Sequence, residues 1–94
     1  MQFEWDSRKA IMNVIKHGVS FKLAMTVFDD PYGFLEDDPV HSLEEERIRQ
    51  IGNSDKGILV VVFTIREPGN IRRIINARRA TKHERRIYEE NKRV

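Results

Sequence analysis

The 94 residues are 39% apolar and 34% charged, which allows one modest core and leaves no room for a second folding unit. Cysteine is absent, so neither disulfides nor thiolate metal sites hold the fold, and no apolar run approaches the roughly 18 residues of a membrane span. The formal charge of +2 hides an asymmetry: residues 1–46 carry four Lys/Arg against ten Asp/Glu, and residues 47–94 carry thirteen against five.

In chain order, Phe3-Glu4-Trp5 alternates apolar and polar and reads as a short strand. Asp6 or Ser7 caps a first helix, in which Ala10, Ile11, Val14 and Ile15 form one apolar stripe. Gly18 stands where a helix end wants a left-handed residue, after Lys16 and His17 in the last turn. Ser20 opens a second short helix with Phe21, Ala24, Met25 and Phe28 on one face, and Asp29-Asp30-Pro31 stops it. Residues 29–43 form an acidic connection containing Pro31, Gly33 and Pro39, with Tyr32–Leu35 as a candidate edge strand. From Glu46 the period changes to two. Glu46–Ile51 reads as a strand, Gly52 to Gly57 as a hairpin loop, and Ile58–Arg66 as a strand. The run from Ile58 to Phe63 is apolar at every position, as in a strand buried on both faces. Pro68-Gly69 suits the middle of a type II turn, and Ile71–Ala77 returns as a third strand. Thr81-Lys82-His83-Glu84 is a capping box that opens a final helix running to about Asn91. The expected fold is a single α+β domain over residues 1–94. It has two N-terminal helices, a small antiparallel β-sheet and a C-terminal helix, with the helices on one side of the sheet. The opening MQFEWDSRKA has no signal-peptide character, so the expected compartment is the cytoplasm.

The basic half is mostly arginine, whose planar fork binds phosphate bidentately and stacks on bases, so a polyanionic partner is expected. Simple alternation along the third strand puts Arg73, Ile75 and Ala77 on one face and Arg72, Ile74, Asn76 and Arg78 on the other. Arg66 lies across the hairpin, so several guanidiniums are expected near one end of the sheet. The final helix has few apolar residues, chiefly Ile87 and Tyr88, and is expected to dock loosely or to offer its charged side to RNA or a partner. Of the histidines, His17 complements a helix dipole, His41 lies in the acidic loop, and His83 sits beside the arginines where a general acid or base is useful. The acids Asp29, Asp30, Glu36, Asp37 and Asp38 lack a metal-loop pattern, and no zinc-type histidine spacing, nucleophile motif or glycine-rich phosphate loop occurs, so no cofactor or metal is expected. The residues alone leave two readings open: an enzyme that cuts RNA, and a non-catalytic RNA-, DNA- or partner-binding regulatory module using the same basic face.

One resemblance bears on that choice. Phe3-Glu4-Trp5-Asp6, Lys9, Asn13 and Lys16-His17-Gly18-Val19-Ser20-Phe21 are similar to the N-terminal signature of the BrnT toxin family. So are Ala24, Val27-Phe28, Asp30-Pro31, Glu46-Arg47, Ile51-Gly52, Val60 to Thr64 with Arg66, and Arg73-Ile74-Ile75-Asn76-Ala77-Arg78, where Asn76 replaces a common serine. The resemblance runs from Phe3 to Tyr88. It implies a RelE-like fold and metal-independent endoribonuclease activity that inhibits translation. It also implies neutralisation by a BrnA-type antitoxin whose ribbon-helix-helix domain binds operator DNA. On this reading Arg66, Arg73 and Arg78 form the phosphate cluster, and His83 and Tyr88 are the proton donors. Trp5, Arg72, Arg79, Lys82, Arg85 and Arg86 are the RNA contacts.

Overall fold

The computed structural model describes residues 1–38 and 46–93, so His41 and much of the acidic connection lie outside the described residues. Phe3–Glu4 forms β1, Ser7–His17 α1 and Phe21–Met25 α2, which continues as a 3-10 turn over Thr26–Asp29. Then follow β2 (Phe34–Asp37), β3 (Ile48–Ser54), β4 (Gly57–Arg66), β5 (Ile71–Arg79) and α3 (Lys82–Lys92). The expected α+β architecture is present. The sheet order is β1-β5-β4-β3-β2, antiparallel throughout except for β1, which runs parallel to β5.

Local chemistry fixes the helix ends. Asp6 accepts from the backbone N–H of Arg8 and Lys9, and Ser20 from that of Leu23. Gly18 closes α1 at φ 69°, a left-handed conformation that a side chain resists, and its N–H reaches the Val14 carbonyl at 2.8 Å. Thr81 and Glu84 form the reciprocal capping box of α3.

Several boundaries differ from the sequence reading. The edge strand lies at Phe34–Asp37, two residues beyond the expected start. β3 continues through Gly52 and Asn53 to Ser54, where a hairpin loop was expected, because these residues pair with Leu59, Ile58 and Gly57. Gly52 is required there for packing: a Cβ would sit 2.8 Å from the Val27 carbonyl oxygen. The Pro68-Gly69 connection also departs from a plain type II turn, since the Glu67-Pro68 bond is cis and Gly69 and Asn70 both have positive φ.

The sheet carries apolar residues on both faces. Leu59 and Val61 belong to a cluster with Val19, Phe21, Ala24, Val27, Ile74 and Ala77, under α2 and the 3-10 turn. Val60 points the other way and joins Ile51, Ala80 and Tyr88 of α3. The helices therefore do not gather on one side. Because β4 is apolar at every position of its core, both faces need cover, and α3 supplies it on the second.

α1 packs in an unexpected manner. Of its expected core stripe only Ala10 packs against the core; Ile11, Val14 and Ile15 face outward, and its one buried residue is Asn13. Asn13 lies along β5 beyond the short reach of β1. Its Nδ2 donates to the Ala77 carbonyl at 2.7 Å and the Val19 carbonyl at 2.8 Å, and its Oδ1 accepts from the Ala77 N–H at 3.1 Å. One amide side chain thus replaces a neighbouring strand at that point.

Candidate active site

The register of β4 against β5 decides which arginines meet. Phe63 pairs with Ile74 and Val62 with Asn76, so Ile75 is an extra residue that bulges from the ladder. The bulge resets the alternation. Arg73, Asn76 and Arg78 share the face of Val60, Val62 and Thr64, whereas unbroken alternation would put Arg73 opposite the other two.

On that face, beside the part covered by α3, lies a cleft of about 500 Å³. Its walls come from three places. β5 supplies Ile75, Asn76 and Arg78; β3 and the residue before it supply Arg49 and Arg47; α1 ends at the rim with His17. Asp38 also lines it, and Val62 forms the floor. Arg47 and Arg49 are two apart at a strand start, which is why both project to the same side.

The guanidiniums are held in place. Arg78 donates from Nη1 to Glu84 Oε1 at 2.7 Å and from Nη2 to Oε2 at 2.9 Å, with Nη1 also reaching the Arg79 carbonyl at 3.3 Å. Glu84 is fixed in turn by the Thr81 N–H. The Arg78 hydrogen bonds hold the Glu84 carboxyl below its usual 4.5, at about 2, and the same bonds raise the Arg78 pKa. Of the five N–H donors of a guanidinium, the Arg78 Nε–H and one Nη2 hydrogen make no hydrogen bond to another described residue. Arg49 pairs with Glu36 of β2, while its Nε is buried without a hydrogen bond to another described residue. Half-buried Asn76 and His17 present their side chains at the same cleft without hydrogen bonds to other described residues.

The other sequence-derived candidates are dispersed. Arg73 lies further along the same face, tied to Glu4 of β1, and Arg66 is exposed at the end of β4. His83 is exposed in the first turn of α3 and does not line the cleft. Tyr88 is buried, with its hydroxyl donating to Asp30 Oδ2 at 2.6 Å; burial first, and that hydrogen bond second, push it well above the ordinary phenol range. Trp5 packs edge-on to Phe21 with ring centroids 6.0 Å apart. Arg72 lies on the opposite face, its guanidinium 5.7 Å from the Phe28 ring centroid and 5.9 Å from that of Phe63. Arg79 donates to the Lys56 carbonyl and Arg85 to the Ala80 carbonyl, while Lys82 and Arg86 are exposed on α3.

The structure therefore brings together Arg78 with Arg47, Arg49, Asn76 and His17, four residues the sequence reading had not placed in the site. Two signals were available: the i, i+2 spacing of Arg47 and Arg49, and the position of His17 at a helix end. Neither reveals that β3 and α1 converge on β5. Among the described residues no group of three His, Cys, Asp or Glu side chains is arranged to hold a metal ion, and no helix is long and apolar enough to cross a membrane.

No curated protein matches the chain. The family model of the ribonuclease toxin BrnT, of type II toxin–antitoxin systems, matches residues 5–84, which include every residue of this cleft. With a match over that length, the chain belongs to the BrnT family of ribonuclease toxins.

Proposed function

We propose that the chain is a metal-independent endoribonuclease that cuts RNA in the cleft between β3, β5 and the end of α1, inhibits translation, and is neutralised by a BrnA-type antitoxin. The observation that carries this reading is the convergence of Arg47, Arg49 and Arg78 on one floor, with Asn76 and His17 beside them. RNA brings its own nucleophile, the 2′-hydroxyl. The protein must align that hydroxyl with the adjacent phosphate, neutralise the charge that grows on the phosphorus oxygens, and move two protons. Guanidiniums already fixed by Glu84 and Glu36 offer their remaining N–H groups without reorganising at the moment of reaction. Asn76 adds an amide donor, and His17 is the ring placed to accept or return a proton. Arg73 and Arg66, further out, guide the flanking phosphates.

The test is incubation of the purified chain with naked RNA in EDTA. Cleavage should persist and leave 2′,3′-cyclic phosphate or 3′-phosphate ends, because the attacking oxygen belongs to the substrate. Loss of cleavage in EDTA with recovery in magnesium would contradict the mechanism. RNA binding without any cleavage would favour the non-catalytic module.

A further inference from the structure

α1 turns Asn13 and Ala10 inward and leaves its large apolar side chains outside. Ile11 and Ile15 are 61% and 71% exposed, and Met12 and Val14 lie on the same outward arc, opposite Asn13. Four aliphatic side chains on one short helix form a contiguous patch, a feature that marks interaction sites on soluble domains. Alongside runs a groove of about 260 Å³, lined by Trp5, Ala10, Ile11, Val14 and Phe21 and rimmed by Lys22. α1 carries no acidic residue, and its cations Arg8, Lys9 and Lys16 border the patch.

We infer that this face of α1, with the Trp5–Phe21 groove, is where the antitoxin docks, through an amphipathic segment with apolar knobs and an acidic border. The inference rests on the toxin–antitoxin reading and adds the surface and the chemistry of the partner. Three other occupants fit less well. RNA finds no open ring face to stack on: Ile11, Met12, Val14 and Ile15 carry no ring, and half-buried Trp5 packs edge-on with buried Phe21. A second copy would set like-charged borders against each other. A lipid surface uses a broad convex arc, whereas here the apolar area folds into a groove that takes protruding side chains. An amphipathic helix with anchors at i, i+3 and i+7 satisfies both the groove and the cationic rim. α1 also ends at His17 on the cleft rim, so a partner seated along it comes close to the substrate site.

The chain has one tryptophan, and it is Trp5 in the groove wall. Purified antitoxin, the product of the partner gene, should therefore change Trp5 emission on titration. Ile15→Glu should weaken binding roughly 30-fold or more, as loss of a central apolar anchor does. Arg8→Glu should weaken it less and flatten its salt dependence. Both variants should retain wild-type RNA cleavage, and Ile15→Ser provides a milder change should the glutamate perturb folding. Antitoxin affinity within about twofold of wild type in Ile15→Glu and Ile15→Ser overturns the inference. It does so equally if the variants instead lose self-association or binding to anionic vesicles. If the wild-type chain cuts no RNA, the catalytic reading falls, while the titration still reports on docking.

Discussion

The Glu84 carboxylate accepts from the Thr81 N–H at the start of α3 and from both Nη groups of Arg78. Its pKa, held at about 2 against a usual 4.5, ties stability to pH. A depressed carboxylate stabilises the fold above the unfolded value, and that contribution fades as pH falls from about 4.5 towards 2. With Arg78 about a third exposed, solvent screening reduces the full conversion of that shift to roughly 1–2 kcal/mol. Glu84→Gln keeps the capping geometry but loses the ion pair. Urea midpoints at pH 7 and pH 3 should therefore differ less in this variant than in wild type; equal pH sensitivity would mean the pair contributes nothing. At the cleft rim, His17→Gln should lower the cleavage rate by about 10²-fold with RNA affinity little changed, as for a residue that moves a proton. An unchanged single-turnover rate would remove His17 from the chemistry. These two residues show the limit of residue-level reading. The capping box was plain in Thr81-Lys82-His83-Glu84, but Arg78 as the second partner of Glu84 depends on how α3 folds back.

At the scale of elements, α1 and α3 each bury little apolar surface, chiefly Ala10 and Tyr88, and lean on a few polar contacts as well. Asn13→Ala strips partners from the Ala77 N–H and from the Ala77 and Val19 carbonyls, all buried. The expected loss is roughly 2–4 kcal/mol, since unsatisfied buried groups keep their full desolvation cost. For a domain of this size that lowers the melting temperature by about 10 °C or more, readable by calorimetry. A shift below about 2 °C would show that α1 is held by other contacts. Tyr88→Phe should speed amide exchange along α3, because the helix loses its link to Asp30, while the cleavage rate stays within about threefold. A rate loss of 10²-fold with α3 intact would restore Tyr88 as a proton donor. Strands and caps were legible because alternation and capping are local. The direction of α1 was not. Periodicity assumes that the apolar side of a helix is its buried side, and here Asn13 completing the β5 edge turns the helix so that only Ala10 of the stripe packs inward. The bulge at Ile75 left only a partial signal: Arg72-Arg73-Ile74-Ile75 breaks period two before Asn76-Ala77-Arg78 resumes it, but which residue bulges is decided by the pairing with β4.

Across the whole molecule, the contrast between an acidic first half and a basic second half resolves into contacts. Glu4 and Glu36 from the first half hold Arg73 and Arg49 from the second, so the asymmetry seen in sequence is partly consumed in building the site. What remains is a cleft in which Arg49 and Arg78 are held by carboxylates, and an apolar face on the helix that ends at its rim. That division fits a toxin that must bind a polyanion and a protein. The most direct measurement is single-turnover cleavage of naked RNA in EDTA by wild type and Arg78→Ala, with RNA affinity and folding measured on the same samples. Removing one placed donor from a transition state should lower the rate roughly 10²- to 10³-fold, and RNA affinity by less than tenfold. A folded Arg78→Ala protein whose rate is unchanged, or falls only as much as its affinity, would contradict the account and place the chemistry outside this cleft.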